Sequence, residues 1–139
     1  MERSPDHFEV VDGRGFFRPV GSMSLEAAAE LVTVALAHAR AKGIKELLVN
    51  ATGLTGFPPP SLSERYFIVE NWARVARGAV RVAMVLRPEY IDPHKFGVTV
   101  AFNRRLIADV FEVEGPALAW LRSREPPSHA CTILADSVG

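Results

Sequence analysis

Along this chain, short consecutive apolar runs alternate with stretches in which apolar residues recur every third or fourth position. Residues 7–12 and 16–20 are strand-like segments separated by Asp12-Gly13-Arg14-Gly15, and an Asp-Gly between such runs predicts a hairpin. A helix is predicted next. Ser24 caps it, Glu26 suits its positive end, and Leu25, Ala28, Val32, Ala35, Leu36 and Ala39 keep helical spacing. Gly43, after Lys42, marks its stop. Leu47-Leu48-Val49, within 46–51, reads as a buried strand, and 52–60, with two glycines and three consecutive prolines, reads as a loop. Ser61, with Glu64 three residues on, makes a capping box for a second helix running to about Arg77, which Gly78 ends. Residues 80–86 are nearly all apolar, as in a strand covered on both faces. Asp92-Pro93 predicts the start of a third helix, with Asp92 as cap. Val110-Phe111-Glu112-Val113 reads as a short strand, and Pro116 opens a last helix carrying Trp120 and Leu121.

The order is ββαβαβαβα. Helices alternating with apolar strands define an α/β class: a layered domain whose sheet is partly parallel and opens with an antiparallel hairpin. Residues 1–122 read as a single domain and 123–139 as a C-terminal tail, in which 130–135 is a candidate edge strand.

Composition narrows the function. Lys plus Arg and Asp plus Glu both total 16, so a nucleic-acid partner, which calls for a basic excess, is not expected. Cys131 is the single cysteine, which excludes an internal disulfide and a paired-thiol metal site and fits a reducing cytoplasm. The first residues are polar, with no secretory signal visible, and no apolar run nears the roughly 18 residues needed to span a bilayer. A cytoplasmic protein with no membrane partner is the expectation.

No catalytic constellation stands out, and no cofactor is implied. The segment Thr52-Gly53-Leu54-Thr55-Gly56 lacks the lysine and spacing of a nucleotide-binding P-loop. His7, His38, His94 and His129 offer no helical metal pair, so no metal site is expected. His94, read in the first turn of the third helix, has the chemistry of a general base but no partner by spacing. Ser61 and Ser63 stand where a helix N-terminus favours an anion, with Arg65 close by, and are the candidate phosphoacceptor or anion site. Ser61 is already explained as an ordinary cap by its capping box with Glu64. Asn50, Thr52 and Thr55 form a candidate recognition loop. Tyr66, Tyr90 and Phe96, with His94, are candidates to line an apolar crevice between the second and third helices.

These pieces carry a resemblance. The hairpin, the helix beginning Ser24-Leu-Glu-Ala-Ala-Ala-Glu-Leu, the strand ending Leu-Val-Asn-Ala-Thr-Gly-Leu, and the closing Val110-Phe-Glu-Val-Glu-Gly-Pro-Ala-Leu-Ala-Trp-Leu121 are similar to the STAS-like family, small relatives of the sporulation stage II anti-sigma-factor antagonist. The resemblance covers about residues 7–122. It implies a mixed sheet of four to five strands flanked by helices, and a phosphorylatable serine at the start of the helix after the central strand. Here that place holds Pro58-Pro59-Pro60-Ser61-Leu62-Ser63 instead of an Asp-Ser-Ser-Gly-like sequence, and Asn50 replaces the preceding Asp. Both departures count against a phospho-switch.

Two functions are therefore expected. One is a non-enzymatic regulatory or protein-interaction module with a protein partner, or a second copy of itself as a homodimer. The other is a binder of a small apolar or amphipathic ligand held between the second and third helices, with Arg65, Arg87 and His94 available to an acidic head group.

Overall fold

The computed structural model describes residues 5–123 and 125–127. The expected strand at 130–135 and Cys131 lie outside the described residues. Strands β1 (Phe8–Val11) and β2 (Arg14–Phe17) form the predicted hairpin. Both Asp12 and Gly13 take positive φ, +52° and +78°, the requirement of a tight hairpin turn. β3 (Val20–Ser22) leads into α1 (Leu25–Ala41), whose cap Ser24 accepts from the Ala27 amide at 3.1 Å. β4 (Glu46–Asn50), β5 (Gly53–Thr55) and α2 (Leu62–Ala76) follow, then β6 (Arg81–Val85), a 3-10 turn at Pro88–Tyr90, α3 (Phe96–Asn103), β7 (Ala108–Phe111) and α4 (Glu114–Ser123).

The main sheet is mixed and five-stranded, in the order β1-β2-β4-β6-β7, antiparallel at the hairpin and parallel elsewhere. Each parallel crossover advances in the same direction. Connections of one hand then place α1, α2 and α3 on one face, and α4, which follows the last strand, covers the other. The strands therefore need apolar residues on both faces. Leu47 and Val49 of β4 join Val82 and Met84 of β6 under α1–α3, while Leu48, Ala83 and Val85 pack against Ala117, Trp120 and Leu121 of α4.

Two short strands were not expected. β3 and β5 pair in parallel as a separate sheet, Val20 with Gly53 through Ser22 with Thr55. Three residues are too few to show a period, so 52–60 read as loop throughout. The third helix starts later than predicted. Asp92 and Pro93 belong to a separate turn, and Lys95 at φ +49° interrupts the chain before α3 begins at Phe96. Asp92 still caps, its Oδ2 accepting from the Phe96 amide at 2.8 Å. Lys95 is anchored from afar by Asp109 of β7, 3.1 Å away. Likewise β7 ends at Phe111, two residues before the predicted end, and α4 starts at Glu114 rather than Pro116. Glu114 is held at that point by Arg18 and Asn50. Beyond α4, Arg81 stacks on the Trp120 ring at 3.8 Å and donates to the Trp120 carbonyl at 3.0 Å and to the Glu125 carbonyl. The Trp120 indole donates to the Pro126 carbonyl at 3.3 Å.

Candidate functional site

Between α1–α3 and the sheet face beneath them lies a cavity of about 150 Å³. The parallel strands keep one direction of advance, so the sheet has no reversal in strand order at which a ligand crevice would open. The space comes instead from small side chains. Ala28 and Ala29 of α1, Gly97 and Ala101 of α3, and Ala108 of β7 line it where larger residues would have closed it.

The wall from α2 has strict helical spacing: Arg65, Ile68, Val69 and Trp72, at i, i+3, i+4 and i+7. Trp72 is fixed by its indole donating to the Ala29 carbonyl of α1 at 3.2 Å. At the end reached by the C-termini of the strands, Ala51, Leu54, Phe57 and Pro60 face Tyr90, Ile91 and Asp92. Two loops are clasped there. The Tyr90 hydroxyl donates to the Phe57 carbonyl, and the two rings meet edge to face with centroids 5.6 Å apart. Arg87 donates to the Leu54 carbonyl at 3.0 Å and lies over the Tyr90 ring. The loop's bend depends on Gly56, at φ +101°, where a Cβ would stand 2.6 Å from the Met23 carbonyl oxygen.

Charged groups in this wall are Arg65 and Asp92. Asp92 is engaged in capping α3. The half-buried Arg65 side chain makes no hydrogen bond or ion pair with any described residue.

Of the residues singled out as crevice-forming, Tyr90 lines the cavity and the other three do not. Tyr66 is half-buried on α2 outside the wall, donating to Glu70 at 3.1 Å and accepting from Arg104, at the end of α3, at 2.6 Å. His94 is exposed in the turn before α3, and Phe96 is half-buried outside the wall. The displaced start of α3 accounts for both. Ser61 is the N-cap of α2 with a complete capping box, its Oγ accepting from the Glu64 amide at 3.1 Å and the Glu64 carboxylate accepting from the Ser61 amide at 2.8 Å. Ser63 is exposed in the first turn of α2, two residues before Arg65.

Asn50, Thr52 and Thr55 separate into two roles. Asn50 Oδ1 accepts from the Thr52 amide at 3.0 Å and the Thr52 hydroxyl at 2.6 Å, while its Nδ2 donates to Glu114 Oε2 at 2.8 Å. Arg18 grips the same carboxylate with two donors, at 2.7 and 3.0 Å, and reaches Glu9 at 2.9 Å. The Arg18 hydrogen bonds hold the Glu114 carboxyl below the usual carboxylate range, against the effect of its partial burial and with help from Asn50. Thr55 is exposed at the end of β5, its hydroxyl 3.4 Å from the Gly21 carbonyl. The Glu114 network ties Arg18, just after β2, to β4 and α4 and lies apart from the cavity wall.

The wall residues Leu25, Ala28, Val32 and Leu36 of α1 were legible in sequence as one apolar helix face. Their failure to fill the space was signalled only by the alanines of α1 and by Gly97 and Ala101. No group of three His, Cys, Asp or Glu side chains among the described residues could hold a metal ion, and no described helix is long and apolar enough to cross a membrane. No family model matches the chain, and no curated protein or solved structure matches it either.

Proposed function

We propose that the chain is a small-molecule-binding module whose site is the cavity beneath α1, α2 and α3. The observation that carries this reading is a concave apolar space between three helices and the sheet, with a few polar groups gathered at the strand C-termini. The polar groups of the lining are Arg65, Tyr90 and Asp92, with the Trp72 indole. The two tryptophans supply the test. Trp72 is in the wall, whereas Trp120 packs under α4 on the opposite face of the sheet. Titration with octan-1-ol should change the fluorescence of wild type and of Trp120→Phe, and leave Trp72→Phe silent. A response that survives in Trp72→Phe and vanishes in Trp120→Phe would place the ligand elsewhere and overturn the reading.

A second reading, the regulatory interaction module of the STAS-like type, draws support from α2. Leu62 and Phe67 are 55% and 66% exposed on that helix, beside exposed Ser63. Replacing Phe67 with Ser should then weaken self-association or partner capture while leaving the Trp72 response intact.

A further inference from the structure

The cavity also specifies a class of ligand, and this assignment rests on the binding-module reading. The apolar stripe of α2 that faces the cavity would be complete with an apolar residue at position 65; it has an arginine there. A cation in the first turn of a helix works against the helix dipole, so helix stability does not account for it. Nor does pairing within the fold, since the Arg65 side chain has no hydrogen-bond or ion-pair partner among the described residues. Asp92, the other charged group of the wall, makes no ion pair with Arg65, and its carboxylate is committed to the Phe96 amide. Arg65 is a half-buried residue of an otherwise apolar wall, and a guanidinium whose donors no described residue fills suits a planar anion, which it can hold with two parallel hydrogen bonds.

Volume sets the other half of the ligand. An apolar cavity of about 150 Å³ takes a benzene-sized guest, and sites for larger ligands begin at roughly twice that size. We infer that the cavity binds small monocarboxylates, with the carboxylate on Arg65 and an apolar body of roughly six to eight carbons among Val69, Trp72 and Met84. Long-chain acyl lipids exceed the space.

Binding of octanoate, octan-1-ol, octylamine and hexadecanoate to the full chain, followed by calorimetry and by the Trp72 signal, tests this. Octanoate should bind roughly 10- to 100-fold more tightly than octan-1-ol, the ratio a charge-assisted pair contributes. Arg65→Gln should remove that advantage, with a wild-type circular dichroism spectrum showing that the variant is folded. Arg65→Lys should keep part of it. Equal binding of octanoate and octan-1-ol, or octanoate binding unchanged in Arg65→Gln, would overturn the carboxylate assignment while leaving the cavity reading standing. Preference for octylamine would transfer the polar contact to Asp92 and overturn it as well. Tighter binding of hexadecanoate would overturn the size. If none of the four binds, the cavity reading itself fails.

Discussion

Replacing Asn50 with Asp changes one contact of the network that ties β4 to α4 and leaves the others in place. The Oδ1 side of residue 50 still accepts from Thr52. The other side, where Nδ2 donates to Glu114 Oε2 at 2.8 Å in the wild type, becomes a carboxylate oxygen facing a carboxylate oxygen. A hydrogen bond to a charged acceptor contributes about 1.5–3 kcal/mol when shielded. The Glu114 side chain is 33% exposed, so water recovers part of this and the loss is about 1 kcal/mol. Repulsion between unit charges about 4 Å apart at high effective dielectric adds about 1 kcal/mol. The sum is about 2 kcal/mol at pH 8, read as a fall of roughly 1 M in the urea midpoint. The pH dependence has a definite sign. In wild type the lowered Glu114 pKa contributes stability above the ordinary carboxylate range, and this is lost as pH falls. In the variant the two carboxyls share a proton more readily when folded than when unfolded. Its deficit relative to wild type therefore shrinks between pH 8 and pH 4.5 as a donor returns to the contact. Equal midpoints at pH 8, or a deficit that does not change with pH, would refute the reasoning.

Gly56→Ala combines a positive φ with a backbone clash at Met23, and should cost about 3 kcal/mol, lowering Tm by roughly 10 °C; a shift under about 2 °C would mean that the loop relaxes without strain. Lys95→Ala removes an ion partner from Asp109, which is 2% exposed, and should cost about 2 kcal/mol in urea unfolding, with Asp109→Asn in the same chain recovering part of it. Tyr90→Phe cuts the clasp to the Phe57 carbonyl and should lower stability by about 1 kcal/mol; an unchanged urea midpoint would show that the contact contributes nothing in solution. Ala28→Leu places a larger side chain in the cavity and should abolish octan-1-ol binding with the fold retained by circular dichroism, whereas retained binding would place the ligand outside it.

Local chemistry made much of this fold readable in advance. Asp12-Gly13 sets its own backbone, Ser24 and Ser61 cap helices with atoms a few residues away, and the apolar strands 46–50 and 81–85 declare burial on both faces. Each depends on neighbours in sequence or on a periodicity that four or five residues can carry. What the sequence left open was decided by contacts between distant residues. β3 and β5 exist because each completes the other's backbone hydrogen bonds across about 30 residues of chain, and neither has a period of its own. The start of α3 depends on where Lys95 meets Asp109, and the start of α4 on Arg18 and Asn50 reaching Glu114. The site follows the same division. Sequence singled out Arg65 and Tyr90, but gave Tyr66, His94 and Phe96 equal standing, because helical spacing tells which residues share a face and not which neighbour that face meets. The cavity itself is a volume left between three helices and a sheet by residues that are individually ordinary. Only their packing in three dimensions shows that Ala28, Gly97 and Ala101 leave the space open and that Arg65 stands beside it without a partner among the described residues.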